Sequence, residues 1–264
     1  MILFGAVKQL FVAKVATRIK RLKMDSMSNN RKDVNKIAYF IPNTFTAVNM
    51  GCGFFAILFA QKGDYYAACM LLIVASLFDS VDGRVARLTG TESNFGEQFD
   101  SICDVISFGV APSILIYYKF LINYGRLGII ISFLFCLSGC LRLARFNANI
   151  DDVDPTYFQG LPIPAGALSL VGYTLLSTVI DFPVNQIFIT IPFVLTFSFF
   201  MISNIPFYSF KKGAFVKKYA KQIMLLVVLS ICLIFIYEEV MLFSILMVYV
   251  FCCLINALKL KLTK

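Results

Sequence analysis

Histidine is absent from this 264-residue chain. Its absence excludes Ser-His and Cys-His nucleophile pairs and any imidazole metal ligand, so proton transfer must fall to carboxylates, lysine, tyrosine or water. Charge is scarce as well, at 15% of residues, where a soluble domain carries about 25%. No CxxC pair occurs. The eight cysteines, Cys52, Cys69, Cys103, Cys136, Cys140, Cys232, Cys252 and Cys253, all lie in apolar runs, the pattern of small buried side chains rather than of a zinc site or disulfide framework. There is no long polar stretch, internal repeat or low-complexity segment. What fills the chain is apolar: 59% hydrophobic residues and a mean hydropathy of +0.80. A core of this size cannot hide that much apolar surface, so lipid must solvate much of it.

Crossing the hydrocarbon takes about 20 mostly apolar residues. Eight such runs are present, near 42–61, 65–83, 98–118, 125–145, 163–181, 184–203, 220–237 and 239–258. Each must be helical, because lipid satisfies no free backbone group. The expected fold is therefore all-α, a polytopic transmembrane bundle of about eight spans. With both termini inside, 21 Lys and Arg residues fall on inner segments. Only Lys62, Lys119 and Arg126 fall outside. This bias predicts cytoplasmic termini in a multi-pass membrane protein. It also accounts for the formal charge of +9 without a nucleic-acid partner. Residues 1–37 read as a basic juxtamembrane segment drawn to anionic membrane lipid, with no clean apolar helical face. The expected outer loops, 61–64, 123–126 and 181–184, are short. The inner ones are longer, which leaves room there for a site.

The acidic residues carry the chemistry. Most lie in loops or at span ends. Asp79 and Asp82 fall at the inner end of the second span, and Asp100 and Asp104 at the inner start of the third. Charges at such depth are costly and usually functional. The first pair is spaced i, i+3 and the second i, i+4, so each pair shares a helix face. The short connection 88–95 returns the helices as antiparallel neighbours, and four carboxylates can converge. They would repel one another unless a cation neutralised them. An all-oxygen set suits Mg²⁺, Mn²⁺ or Ca²⁺. Neighbouring glycines and Arg87 suit a phosphate.

Written out, residues 79–104 read D-S-V-D-G-R-V-A-R-L-T-G-T-E-S-N-F-G-E-Q-F-D-S-I-C-D. This resembles the signature of the CDP-alcohol phosphatidyltransferase family, D-x-x-D-G-x-x-A-R, eight residues, then G-x-x-x-D-x-x-x-D, and it matches at every fixed position. The resemblance implies that Asp79, Asp82 and Asp100 hold two divalent ions, Mg²⁺ or Mn²⁺. It makes Asp104 the general base, which also touches a metal. Asp82, Gly83, Ala86, Arg87 and Gly96 would line the CDP-lipid site. It further implies a homodimer, and a catalytic core over 38–205 followed by a basic loop and C-terminal helix pair over 206–264.

Three further stretches resemble the serine-using bacterial branch of that family: Ile41-Pro-Asn-Thr-Phe-Thr to Asn49-Met-Gly-Cys-Gly53, Arg142-Leu-Ala-Arg-Phe-Asn147, and Gly160-Leu-Pro-Ile-Pro-Ala165. The implied reaction moves a phosphatidyl group from CDP-diacylglycerol to L-serine, giving CMP. Arg142 and Arg145 then suit the acceptor carboxylate, although positive-inside topology places arginines there too, and a glycerol-phosphate or inositol-phosphate acceptor would want them equally. Asn49 and Thr46 read either as facing the nucleotide or as helix-packing polar groups. The Asp151–Asp154 cluster reads as a solvated loop or as an attraction for an ammonium group. Two alternatives stand: the same chemistry on glycerol 3-phosphate, and a cation transporter built on the aspartates.

Overall fold

The structure, a computed structural model, describes residues 43–90, 93–148, 157–180, 186–208 and 237–262. The basic segment 1–37, the acidic cluster at 151–154, the outer loop 181–184, the loop beyond 208 and the seventh expected span up to residue 236 lie outside the described residues.

All but two three-residue strands of the ordered elements are helical. Helix α1 runs Asn43–Lys62 and α2 runs Tyr65–Thr89. The carboxylate of Asp64 caps α2 by accepting from the Ala67 amide at 3.0 Å. Gly90 ends it in the left-handed region, at φ 63°, where lack of a Cβ removes the steric cost. Helix α2 thus continues six residues past the apolar run that predicts it. The polar residues Arg84 and Arg87 extend the helix as well as apolar ones do, so hydropathy stops short while the backbone continues.

Helix α3, Asn94–Asp104, is capped by Ser93, whose hydroxyl accepts from the Gly96 amide. It passes into a π-type turn, Val105–Val110, then α4, Ala111–Ile116, and a second π-type turn, Tyr117–Leu121. Such turns insert a residue into the ladder and re-phase the side chains that follow. Ser107, Phe108 and Gly109 are all buried in succession as a result. The chain reverses at Ile122–Gly125, where Gly125 adopts φ 53°, and α5, Gly125–Ala148, runs back. A Cβ added at Gly139 would lie 3.8 Å from the Gly109 Cα. The 55-residue apolar stretch Asn94–Ala148 is thus two antiparallel arms, with the reversal where the short outer loop is expected.

Helices α6, Ile163–Val179, and α7, Ile187–Ile202, follow. Strands β1, Tyr157–Gln159, and β2, Pro206–Tyr208, pair antiparallel beneath them. Helix α8, Glu238–Leu262, closes the bundle. It packs on α6, which also meets α2, while α5 packs on α7. A Cβ added to Gly172 would fall 3.0 Å from both Cα and N of Phe243, so α6 and α8 meet backbone to backbone, the small-residue packing usual between helices in lipid. Tyr173 anchors the other side. Its hydroxyl is 2.8 Å from that of Thr190 and its ring stacks on Phe193 at 4.8 Å. Buried hydroxyls on these helices bond the carbonyl one turn back, as Ser169, Thr174 and Ser198 do, so none is left bare among apolar groups.

Large apolar side chains face outward. Phe54, Phe133, Phe188 and Phe251 are each more than half exposed. A bundle with this outer surface is a membrane protein, and lipid covers what water would not. Four helices are long and apolar enough to span: α1, α2, the folded-back stretch Asn94–Ala148, and α8. The fifth and sixth expected spans, α6 and α7, have only 17 and 16 residues. Among the described residues there are thus four candidate spans, one of them folded back into the two arms expected as the third and fourth spans, and two shorter helices; the described residues do not confirm the count of about eight.

Gly172→Ala is expected to lower the thermal stability of the detergent-purified protein by about 1–3 kcal/mol, because α6 must move off Phe243. Gly51→Ala, where an added Cβ meets nothing within 4 Å, is expected to be neutral or stabilising by up to about 1 kcal/mol. Paired thermal melts check both, and equal effects would show that the α6–α8 approach is not tight.

Candidate active site

Two helices supply the carboxylates and a third holds them. Asp79 and Asp82 lie one turn apart on α2, and Asp100 and Asp104 one turn apart on α3. The Gly90 cap ends α2 and the Ser93 cap opens α3 only three residues later. Oxygens of Asp79, Asp82 and Asp100 all fall within 4.8 Å of one another. The Asp104 carboxyl lies beside that of Asp79, within hydrogen-bonding reach. From α1, the Thr46 hydroxyl donates to Asp82 Oδ2 at 2.9 Å, and Asn49 Nδ2 donates to Asp104 Oδ1 at 3.4 Å. The Gly83 amide donates to Asp82 Oδ1 at 2.6 Å. Asp82 and Asp104 are buried, and Asp79 and Asp100 half-buried.

The energetics of this crowding decide what the cluster is for. Two unit charges at such a separation repel by roughly 3 kcal/mol at an effective dielectric of about 20. Three pairs approach roughly 10 kcal/mol, the scale of a whole domain's stability. Neutral donors such as Thr46 and Asn49 offset only part of that. Asp100 Oδ1 is in addition fully buried with no hydrogen-bond partner, an acceptor left for a ligand that the protein itself does not provide. The donors are all oxygen. The residues present therefore fit a hard divalent cation.

Around the cluster, the Arg87 guanidinium passes over Gly83, where an added Cβ would meet its Nη1 at 3.8 Å. Arg87 is exposed and Ala86 half-buried. Gly96 leaves space between α3 and α1, since a Cβ there would sit 3.4 Å from Asn43 Oδ1. The expected phosphate-side residues thus gather at one end of α1, α2 and α3. Asn49 stands apart from them. Read in sequence either as facing the nucleotide or as a packing group, it is 0% exposed and donates to Asp104.

The two arginines of α5 separate sharply. Arg142 is 7% exposed, within electrostatic reach of Asp104 and Tyr249, with its guanidinium 5.4 Å from the Phe146 ring centroid and its Nε unpartnered. Arg145, expected at the acceptor, bonds groups of the protein itself. Its Nη1 donates to the carbonyl of Ile202 at 2.7 Å and to Asn204 Oδ1 at 3.1 Å. Its Nη2 donates to the carbonyls of Gln159, Met201 and Ser203 at 3.0–3.2 Å. These include the free carbonyls at the C-terminus of α7, where a cation also favours the helix dipole. Arg145 is a clamp between α5, α7 and β1. Sequence reasoning missed this, since topology and ligand roles both predict an arginine here and only the fold shows which carbonyls come near. Ser107 and Asn147 were also missed. Ser107 donates to the Asn49 carbonyl at 3.0 Å, and Asn147 Nδ2 donates to Ser101 Oγ at 2.9 Å. The available signal was a polar residue one turn beyond Asp104 in an apolar run.

A membrane-embedded helical bundle with clustered carboxylates, an adjoining arginine and glycine-lined space has the chemistry that a divalent cation and a phosphoryl group would need. The sequence model of the family described as CDP-alcohol phosphatidyltransferase matches residues 39–198. The chain belongs to this family, whose members use divalent metals. It is similar to the CDP-diacylglycerol–serine O-phosphatidyltransferase of Helicobacter pylori, with 39% identity over 201 residues that cover 75% of this chain and 82% of that protein. The protein of the same description from Methanocaldococcus jannaschii is 38% identical over 201 residues, covering 74% of this chain and 90% of that one. The archaetidylserine synthase of Methanothermobacter thermautotrophicus is 41% identical over 151 residues, covering 56% and 63%.

Arg145→Ala is expected to cost about 1–3 kcal/mol of stability through the lost charge-assisted bonds, read as a lower thermal midpoint in detergent, with Arg145→Lys restoring only part. An unchanged midpoint together with a raised KM for the acceptor would return Arg145 to the role of a substrate ligand.

Proposed function

We propose that this protein transfers a phosphatidyl group from CDP-diacylglycerol to L-serine, releasing CMP. The observation that carries the reading is the convergence of Asp79, Asp82 and Asp100, with Asp104 beside them, in a chain similar to serine-specific relatives over three-quarters of its length. In this reading Asp79, Asp82 and Asp100 hold two divalent ions, Mg²⁺ or Mn²⁺. Bound there, such ions would stabilise charge on the transferred and departing phosphates. Arg87 grips a phosphate above Gly83, and Gly83, Ala86 and Gly96 leave room for the nucleotide.

Asp104 takes the proton from the serine hydroxyl. The serine oxygen attacks the β-phosphorus in line, and the bond from that phosphorus to the bridging oxygen breaks, so that the electron pair leaves with CMP. Atoms and charge balance without a further reactant. Arg142 is the residue of choice for the serine carboxylate, since a buried guanidinium with an unused N–H beside the base suits a small anion held close to the reacting oxygen. The Lys and Arg bias supports a cytoplasmic site with both termini on that side, and the family resemblance supports a homodimer.

Purified protein supplied with CDP-diacylglycerol and Mg²⁺ or Mn²⁺ is expected to release CMP with serine and not with glycerol 3-phosphate. Release with glycerol 3-phosphate alone would overturn the serine assignment. Asp104→Asn is expected to lower turnover by about 10²–10⁴-fold while CDP-lipid binding persists, and near-normal turnover would remove Asp104 from the role of base. Asp79→Asn and Asp82→Asn are expected to raise the metal concentration for half-activation by at least about tenfold, and an unaltered metal titration would contradict their role as ligands.

A further inference from the structure

We propose that Asn49 is a positioning residue for Asp104, holding the carboxylate that receives the acceptor's proton, and not a ligand of the nucleotide. The inference rests on the reading of Asp104 as the base. Three observations carry it.

The first is burial. Asn49 has no exposed surface and its Oδ1 meets no hydrogen-bond partner, so the contact it makes at the cluster is the one from Nδ2 to Asp104. The second is register. Thr46, Asn49 and Gly53 stand at i, i+3 and i+7 and so share one face of α1. That face divides its donors between the two aspartate helices: Thr46 donates to Asp82 on α2 and Asn49 to Asp104 on α3. The third is a lock on the position of Asn49 itself. Ser107, in the π-type turn after Asp104, donates its hydroxyl to the Asn49 carbonyl at 3.0 Å. One turn further on, a Cβ added to Gly53 would fall 2.6 Å from Ser107 Oγ and 2.8 Å from its Cα. Helix α1 is thus held against the turn that follows Asp104, and the height of Asn49 beside it is set by backbone contact.

The chemistry explains why an amide is used. A carboxylate has two oxygens. A donor on Oδ1 sets the plane of the group. A lysine or arginine in that place would pair with the base and weaken it as a proton acceptor. An apolar residue would let the carboxylate swing toward the charge held by Asp79, Asp82 and Asp100. The amide N–H orients without neutralising.

The test compares Asn49→Leu, which keeps the shape and removes the donor, with Thr46→Val, which does the same on the Asp82 side. Both are purified in detergent beside the wild type and measured for serine-dependent CMP release, CDP-diacylglycerol binding, and the Mn²⁺ concentration that half-saturates the metal-induced thermal shift. For Asn49→Leu, kcat is expected to fall about 10- to 100-fold, the scale of a lost bond to a charged group. Its CDP-lipid affinity and Mn²⁺ midpoint are expected to stay within about twofold of wild type. Thr46→Val is expected to move the Mn²⁺ midpoint instead. That separation is something general damage to the bundle would not produce. A wild-type kcat in Asn49→Leu would overturn the proposal. So would weakened CDP-lipid binding, which assigns Asn49 to the nucleotide or to the fold, or a shifted Mn²⁺ midpoint, which assigns it to the metal. Wild-type turnover in the same assay tests the proposed reaction separately, so a loss confined to Asn49→Leu bears on positioning alone.

Discussion

Carboxylates crowded into a medium that solvates charge poorly set the terms for the rest of this bundle. Asp79, Asp82 and Asp100 come within 4.8 Å of one another, and Asp104 stands beside them. If all are ionised, their repulsion is of the order of the total stability of a domain, so the site persists only if protonation, neutral donors or a bound cation offset it. The remaining architecture can be read as the means of doing so. Helix α1 brings neutral donors. The caps at Gly90 and Ser93 end α2 and open α3 within three residues. The π-type turn after Asp104 brings Ser107 under α1.

That arrangement needs a rigid frame, and the frame is built by different physics. No hydrophobic force draws helices together in lipid, so close packing and internal hydrogen bonds must do it. Gly172 against Phe243 and Tyr173 with Thr190 and Phe193 serve α6, α7 and α8 in this way. Arg145 serves α5 by taking up the free carbonyls at the end of α7. Arg142, one turn before Arg145 on the same helix, is buried within electrostatic reach of Asp104.

Similarity to serine-specific relatives and the chemistry of the site point the same way. In the proposed reaction a buried arginine with an unused N–H would serve the acceptor carboxylate, and Asp104, bonded by the Asn49 amide, would take the hydroxyl proton. The division of labour among four aspartates then follows from their partners and not from their identity. Asp82 is bound by a hydroxyl and a backbone amide, Asp104 by a side-chain amide, and Asp100 presents a bare oxygen.

Much of this was legible in order of residues alone. Apolar runs determined that the chain is helical and lies in lipid, because no other backbone can cross it. The i, i+3 and i, i+4 aspartates determined that a polar cluster faces inward, because helical periodicity is local. Span ends were less legible. Hydropathy does not sense the helix that α2 continues through Arg84 and Arg87, nor does it measure how far α6 and α7 fall short of the length of a span. Only the tertiary structure decided which long-range partners each side chain meets. Arg142 and Arg145 look alike in sequence, yet one is buried beside a base and the other caps a helix 57 residues away. Asn49 and Thr46 each allowed two readings, and only the fold shows that they donate to Asp104 and Asp82. The reason is physical: propensity and periodicity are properties of neighbours along the chain, whereas burial, pairing and the height of one helix against another are set by what packs across it.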